Sequence, residues 1–193
     1  VLYVFFRGMF RFMFRFMFRL QSEGEENIPK DGGVVLCANH TSNWDPPVLG
    51  SPIERKVHYM AKAELFQVPV LGYVLPRIGA FPVKRGGVSK ESIRLSLQLL
   101  REGKVLGIFP EGSRSNAGGM GKKGAASLAL KSGATVIPAA IIGSYKPFSR
   151  MKVVYGPPVD ISEFADSGPE GLEQATDKIM TTIREMVKQH ESK

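Results

Sequence analysis

Val34-Val35-Leu36-Cys37-Ala38 runs directly into Asn39-His40-Thr41-Ser42-Asn43-Trp44-Asp45. The first five residues are an apolar run bounded by the Asp31-Gly32-Gly33 turn, and they read as a short buried strand. A strand that ends in a polar loop carrying His and Asp places chemistry at the rim of a sheet. Histidine gains or loses a proton near neutral pH without special tuning. A neighbouring Asp can fix its tautomer and stabilise the imidazolium that forms. Residues five apart lie about 140° apart around an ideal helix, so His40 and Asp45 cannot share a helical face. A turn must therefore fold Asp45 back toward His40, with Pro46 opening a new helix behind it. Plainer readings stand beside this one: Asp45 as an N-cap before Pro46, and His40 as a surface-loop histidine making one backbone hydrogen bond.

Outward from this stretch, short apolar segments alternate with helical ones. Strands are expected at Lys56–Met60, Lys104–Phe109, Thr135–Ile142 and Met151–Tyr155, with an extended segment over Ile78–Val83. Short helices are expected at 46–50, 62–66 and 69–75, a longer one from the Ser89 N-cap to about Glu102, and one of small residues over 122–131. Ser167-Gly168-Pro169-Glu170 is a capping-box pattern opening the last helix, whose core stripe is Leu172, Ala175, Ile179, Ile183 and Met186. Pro138 implies that its strand lies at an edge or carries a bulge. Residues 21–33 read as a connector. The expected fold is α/β, a mostly parallel central sheet flanked by helices, in one domain spanning 21–193.

The 193 residues carry a net charge of +8, and the charge is uneven. Arg7, Arg11, Arg15 and Arg19 fall in the first twenty residues, which contain no acid; without them the body is only mildly basic, which argues against nucleic acid as a partner. Cys37 is the single cysteine, so no intrachain disulfide can form, and its apolar setting marks it as a small buried filler. The three histidines lack ligand spacing, so no metal site is expected. The chain begins at Val rather than Met, and further N-terminal residues are expected.

Residues 1–20, VLYVFFRGMFRFMFRFMFRL, repeat Arg and Phe every four positions. The four Arg occupy an arc of about 120° on a helix and leave a broad Phe/Met face. A membrane-spanning helix would bury Arg at about 3 kcal/mol each. A secretory signal needs an uninterrupted apolar core and a small-residue cleavage site, and neither is visible. A helix lying in the membrane interface suits both faces, with Arg7, Arg11, Arg15 and Arg19 at anionic headgroups and Phe6, Phe10, Phe14 and Phe18 among acyl chains. The competing reading packs the apolar face on the rest of the protein.

Three loops after apolar strands carry reactive side chains: His40 and Asp45; Lys84 and Arg85; Glu111, Ser113 and Arg114. Loops at strand ends of an α/β sheet converge on one crevice. Such a crevice would hold a base, its acidic partner and several cations. Arg presents a fork matched to phosphate oxygens, Lys122 adds a point charge, and Gly112 lets backbone approach a ligand closely. A base and a phosphate clamp beside a membrane-seeking helix suggest chemistry on a phosphorylated amphiphile. Against this, Arg85 and Arg114 could be solvated surface charges, with Glu111 paired to one of them.

At these residues the sequence resembles the glycerolipid acyltransferases, most closely the bacterial 1-acyl-glycerol-3-phosphate acyltransferases. His-x4-Asp matches His40 to Asp45; Gly-x-Phe-x-x-x-Arg matches Gly79 to Arg85; Phe-Pro-Glu-Gly-Ser/Thr-Arg-Ser matches Phe109 to Ser115; a hydrophobic stretch ending in Pro matches Val136-Ile137-Pro138. The motifs come in family order across about residues 27–160. Gly121 stands before Lys122-Lys123-Gly124-Ala125 where members often have Phe, a difference in the wall of the phosphate pocket. Members often carry two N-terminal docking helices, and one is seen here. The resemblance implies that His40 is general base on the free 2-hydroxyl of 1-acyl-glycerol-3-phosphate and that Asp45 orients it. It implies acceptor binding by Lys84, Arg85, Glu111, Gly112, Ser113, Arg114 and Lys122, with Pro138 lining the acyl side. Acyl-CoA or acyl-carrier protein would be the co-substrate, with no cofactor, at the cytoplasmic face of the cell membrane. Alternatives are transfer to glycerol-3-phosphate or another lysophospholipid, hydrolysis with water as acceptor, and a non-catalytic module binding anionic membranes.

Overall fold

The computed structural model describes residues 2–83, 89–111 and 121–191, with Gly121 and Lys122 as backbone only. Among the described residues there are seven strands: β1 (Gln21–Glu23), β2 (Val34–Ala38), β3 (Val57–Lys62), β4 (Ala80–Val83), β5 (Val105–Ile108), β6 (Thr135–Gly143) and β7 (Met151–Tyr155). They form one sheet in the order β1-β7-β6-β2-β5-β3-β4. Every neighbouring pair is parallel except β6 and β7. The α-helices are α1 (Leu2–Met17), α2 (Asp45–Gly50), α3 (Pro69–Ile78), α4 (Lys90–Arg101), α5 (Gly121–Ser132) and α6 (Gly168–Glu191). The expected α/β class and mostly parallel sheet are both observed.

Central β2 shows how the layers arise. Side chains alternate across a strand, and all five of its residues are buried. Val34, Leu36 and Ala38 join a core with Phe14 of α1 and Val48 and Leu49 of α2. Val35 and Cys37 join a second core with Leu100 of α4, Ala125 and Ala129 of α5, and Ile179 and Ile183 of α6. A strand covered on both faces has no polar side, which is why its sequence is a continuous apolar run. Burial pushes the Cys37 thiol up to about 12, so it stays a neutral filler.

One strand expectation changes and one is met through its second alternative. Residues 21–23, read as connector, form β1, which pairs with β7. Three residues are too few to show periodicity, and β7 is about 130 positions away in sequence. Pro138 was expected at an edge or bulge; β6 is interior, between β2 and β7, but the facing segment carries an extra residue there, since Ala139 pairs with Tyr155 whereas Val136 bridges Val159. The Pro138 carbonyl accepts the Gly156 N–H at 2.8 Å, so its nitrogen also lies on the β7 side, away from β2. The β6–β7 ladder begins at Ala139 and pairing resumes at the Val136–Val159 bridge, so the missing N–H falls at this irregularity and leaves the β2 ladder intact.

The largest revision concerns α1. Phe14 and Phe18 are buried, at 0% and 5% exposure, and Phe10 packs against the same core. Arg7 donates to the carbonyls of Ile53 and Glu54, and Arg11 to those of Ser51 and Pro52. Carbonyls at and beyond a helix C-terminus lack intrahelical partners, and here two guanidinium groups satisfy those that follow α2. The placement of Phe14 and Phe18 among acyl chains, and of Arg7 and Arg11 at headgroups, is therefore corrected: all four hold the helix to the body. The apolar side left outward carries Phe5, Phe12 and Phe16, each more than 60% exposed. Those three fall within about 40° of one another on the helix. No helix among the described residues is long and apolar enough to cross a membrane.

Candidate active site

β2 ends at Ala38, and Asn39 continues its pairing with a side chain. Its amide donates to the Ile141 carbonyl at 2.9 Å and accepts the Ile141 N–H at 2.7 Å, as one more rung between β2 and β6. The loop thus leaves the sheet from a fixed point. His40 follows, and Asp45, at the start of α2, lies completely buried behind it.

The Asp45 carboxylate collects donors from the loop that precedes it. Oδ2 accepts His40 Nδ1 at 2.7 Å, the Thr41 N–H at 2.5 Å and the Ser42 N–H at 2.7 Å. Oδ1 accepts the Tyr145 hydroxyl, with Thr41 Oγ1 at 3.3 Å. These donors lie upstream or across the sheet, so the carboxylate gathers the loop instead of capping α2. Burial pushes the Asp45 carboxyl up, but hydrogen bonds from His40, Ser42, Tyr145 and Thr41 more than offset it and hold the group below its ordinary value. Each hydrogen bond to a charged group is worth about 1.5–3 kcal/mol, enough in sum to decide that direction.

An ionised carboxylate only accepts, so Nδ1 of His40 carries the hydrogen, and in the neutral imidazole Nε2 is the nitrogen with the lone pair. The Phe109 ring lies against one face of the imidazole, with centroids 4.4 Å apart and planes 24° apart. Tyr59 stacks behind Phe109 at 6.3 Å. With Nδ1 engaged and one face covered, Nε2 is the ring nitrogen that has no hydrogen-bond partner among the described residues, and in a neutral imidazole it can take a proton from a hydroxyl. His58, by contrast, sets Nδ1 3.2 Å from the Val105 carbonyl inside the sheet and plays a structural part.

β2, β3, β4 and β5 all run the same way. The segments after β2, β4 and β5 therefore leave from one edge of the sheet. Glu111, half-buried just after β5, belongs to that edge. Lys84, Arg85, Gly112, Ser113 and Arg114 lie outside the described residues, as does the side chain of Lys122. Pro138 is buried within β6, in register with Cys37 of β2. A cleft of about 230 Å³ beside α1, lined by Arg11, Arg15, Glu25 and Ser51 among others, does not include His40. Three contributors escaped the sequence reading. Phe109 stood inside a quoted motif but was taken only as a strand end. Asn39 was quoted without a role. Tyr145 had a single signal, an aromatic in the polar stretch after a buried strand.

The sheet order and the strand-end loop define an α/β protein with a His–Asp pair at the rim of its sheet, and comparison with known proteins supplies the family. The sequence model of the Acyltransferase family matches residues 19–142. The chain belongs to that family. A relative from Bacillus subtilis (strain 168), named 1-acyl-sn-glycerol-3-phosphate acyltransferase, is 37% identical over 169 residues, covering 84% of this chain and 85% of the relative. A protein of the same name from Borreliella burgdorferi is 32% identical over 66% of this chain and 52% of its own length. In fold, the chain matches the crystal structure of the 1-acyl-sn-glycerophosphate acyltransferase PlsC from Thermotoga maritima, with a TM-score of 0.75 at 23% identity over 99% of this chain and 81% of that one.

Proposed function

We propose that this chain transfers an acyl group from acyl-CoA or acyl-carrier protein to the 2-hydroxyl of 1-acyl-glycerol-3-phosphate, giving phosphatidic acid. The observation that carries the reading is His40 held by a buried, ionised Asp45, with no hydrogen bond to Nε2 among the described residues. The acceptor is suggested by the names of the relatives and by the motif that supplies Arg114. His40 Nε2 takes the proton of the 2-hydroxyl as its oxygen attacks the thioester carbonyl. The tetrahedral intermediate collapses, the C–S bond breaks, and the departing thiolate receives the proton from His40. Asp45 stays ionised and stabilises the imidazolium between the two transfers. Arg85 and Arg114 are assigned to the acceptor phosphate, with Lys84 and Lys122 as added charge, Glu111, Gly112 and Ser113 shaping that loop, and Pro138 on the acyl side.

The test is thiol release from acyl-CoA, then from acyl-carrier protein, with and without 1-acyl-glycerol-3-phosphate. Release that requires the acceptor and yields phosphatidic acid is expected. Release regardless of acceptor would make the protein a hydrolase, and preference for glycerol-3-phosphate would reassign the acceptor.

The same reading places the enzyme on the cytoplasmic face of the cell membrane, peripheral or monotopic, through the outer side of α1. Phe5, Phe12 and Phe16 would enter the interface, with Arg15 and Arg19, both exposed, at anionic headgroups. Burying a Phe side chain is worth about 1.5–3 kcal/mol, so changing all three to Ser should lower co-sedimentation with anionic vesicles by at least about tenfold. Unchanged co-sedimentation would sink the assignment.

A further inference from the structure

We propose that Tyr145 is a positioning residue of the acyl-transfer site, its hydroxyl holding one oxygen of Asp45 while the other receives the imidazole. The proposal rests on the function above for its kinetic consequences, and on geometry for its structural ones.

The two oxygens of Asp45 are held differently. Three donors converge on Oδ2, two of them backbone N–H groups of the same loop. Oδ1 has the Tyr145 hydroxyl and, more distantly, Thr41 Oγ1 at 3.3 Å. Without Tyr145 the outer oxygen keeps one long hydrogen bond, and the carboxylate can turn about its last side-chain torsion. That torsion is broad for Asp, so rotation carries Oδ2 off the line to His40 Nδ1. A carboxylate that orients a base serves only while its own plane is fixed.

Tyr145 is itself well anchored. It lies in the connection between β6 and β7, where Ser149 Oγ donates to the carbonyls of Ser144 and Lys146. The N–H groups of Phe148 and Met151 bond to the carbonyls of Met17 and Phe18, tying this connection to the end of α1. The Tyr145 ring meets Phe18 edge-on, with centroids 5.6 Å apart and planes at 84°. One continuous contact path thus runs from the buried side of α1 through Tyr145 and Asp45 to His40. Burial and the adjacent Asp45 charge push the Tyr145 hydroxyl well above the usual tyrosine range, so it remains a donor at any working pH. Among the described residues, the ionisable groups in contact with the Asp45 carboxylate are His40 and Tyr145.

Tyr145→Phe isolates the hydroxyl, since the ring keeps its seat on Phe18. Loss of one charge-assisted hydrogen bond should lower kcat about tenfold, with KM for acceptor and donor each within about twofold of wild type. Losing a donor makes Asp45 more basic, so the His40–Asp45 pair should hold its proton more tightly and the acidic limb of the pH–rate profile should move to higher pH. By NMR, the proton on His40 Nδ1 should change its chemical shift, a readout that needs no turnover. An unchanged kcat, an unmoved acidic limb and an unmoved His40 resonance would overturn the proposal. A lower rate matched by a lower melting temperature, with limb and resonance unmoved, would also overturn it by making Tyr145 a packing residue. If the wild type releases no thiol with acceptor, the proposed function fails, and the His40 resonance still decides the role of Tyr145.

Discussion

Replacing His40 with alanine is expected to lower acceptor-dependent thiol release by about 10²–10⁴-fold, the usual worth of a positioned general base. The loss should fall on kcat, because in the proposed mechanism His40 presents Nε2 to a reacting proton and is not assigned to hold phosphate or acyl chain. Stability should change little. The His40 side chain is partly exposed, at 18%, and Asp45 keeps its donors from Thr41, Ser42 and Tyr145 when the imidazole is gone. Thermal melts beside the kinetics separate the two effects. A variant that retains more than a tenth of wild-type kcat would show that another group takes the proton.

Asp45→Asn is expected to damage both activity and stability. The carboxylate accepts from His40, two backbone N–H groups, a threonine hydroxyl and a tyrosine hydroxyl. An amide offers one accepting oxygen, and its NH₂ must then point at groups that are themselves donors. Whichever way it turns, it leaves buried donors unpaired at about 1–3 kcal/mol. If the amide NH₂ takes the side facing His40, the imidazole keeps its hydrogen on Nε2 and cannot serve as base; a tautomer error of this kind costs about 10⁴ in a serine protease triad. A fall in kcat of about 10²–10⁴ is therefore expected here. The pH dependence follows from the lowered Asp45 carboxyl. Its stabilising contribution is fully present above the ordinary value of an unfolded Asp, about 3.9, and is lost as pH falls through the lower folded value. Urea melts at about pH 7 should separate wild type from variant, and the gap should shrink toward about pH 2. A gap that is constant with pH would mean that the ionised form contributes nothing.

The sequence made the strand-end loop legible because two signals coincided there: an apolar run too short for a helix, and a His and an Asp at a spacing no helix can reconcile. The same logic found β5 and its polar exit. It failed where one signal had two causes. α1 has Phe and Met almost all the way round between its arginines, so periodicity marks the Arg ridge but not which apolar side faces inward. The body chose Phe14 and Phe18, and the ridge was partly taken up by carbonyls beyond α2 that no local pattern announces. β1 was hidden by its length, and Tyr145 by the hundred residues that separate it from Asp45.

The alignment of β2 with β5 carries a consequence beyond stability. Val34 pairs with Val105 and Cys37 with Ile108, so His40 and Phe109 emerge side by side from strands locked several residues earlier. A slip of one residue would swap the faces of every following side chain, and Phe109 would turn away from the imidazole. Catalytic competence in this chain is therefore settled during folding, when four residue pairs of β2 and β5 choose their partners, before any substrate arrives.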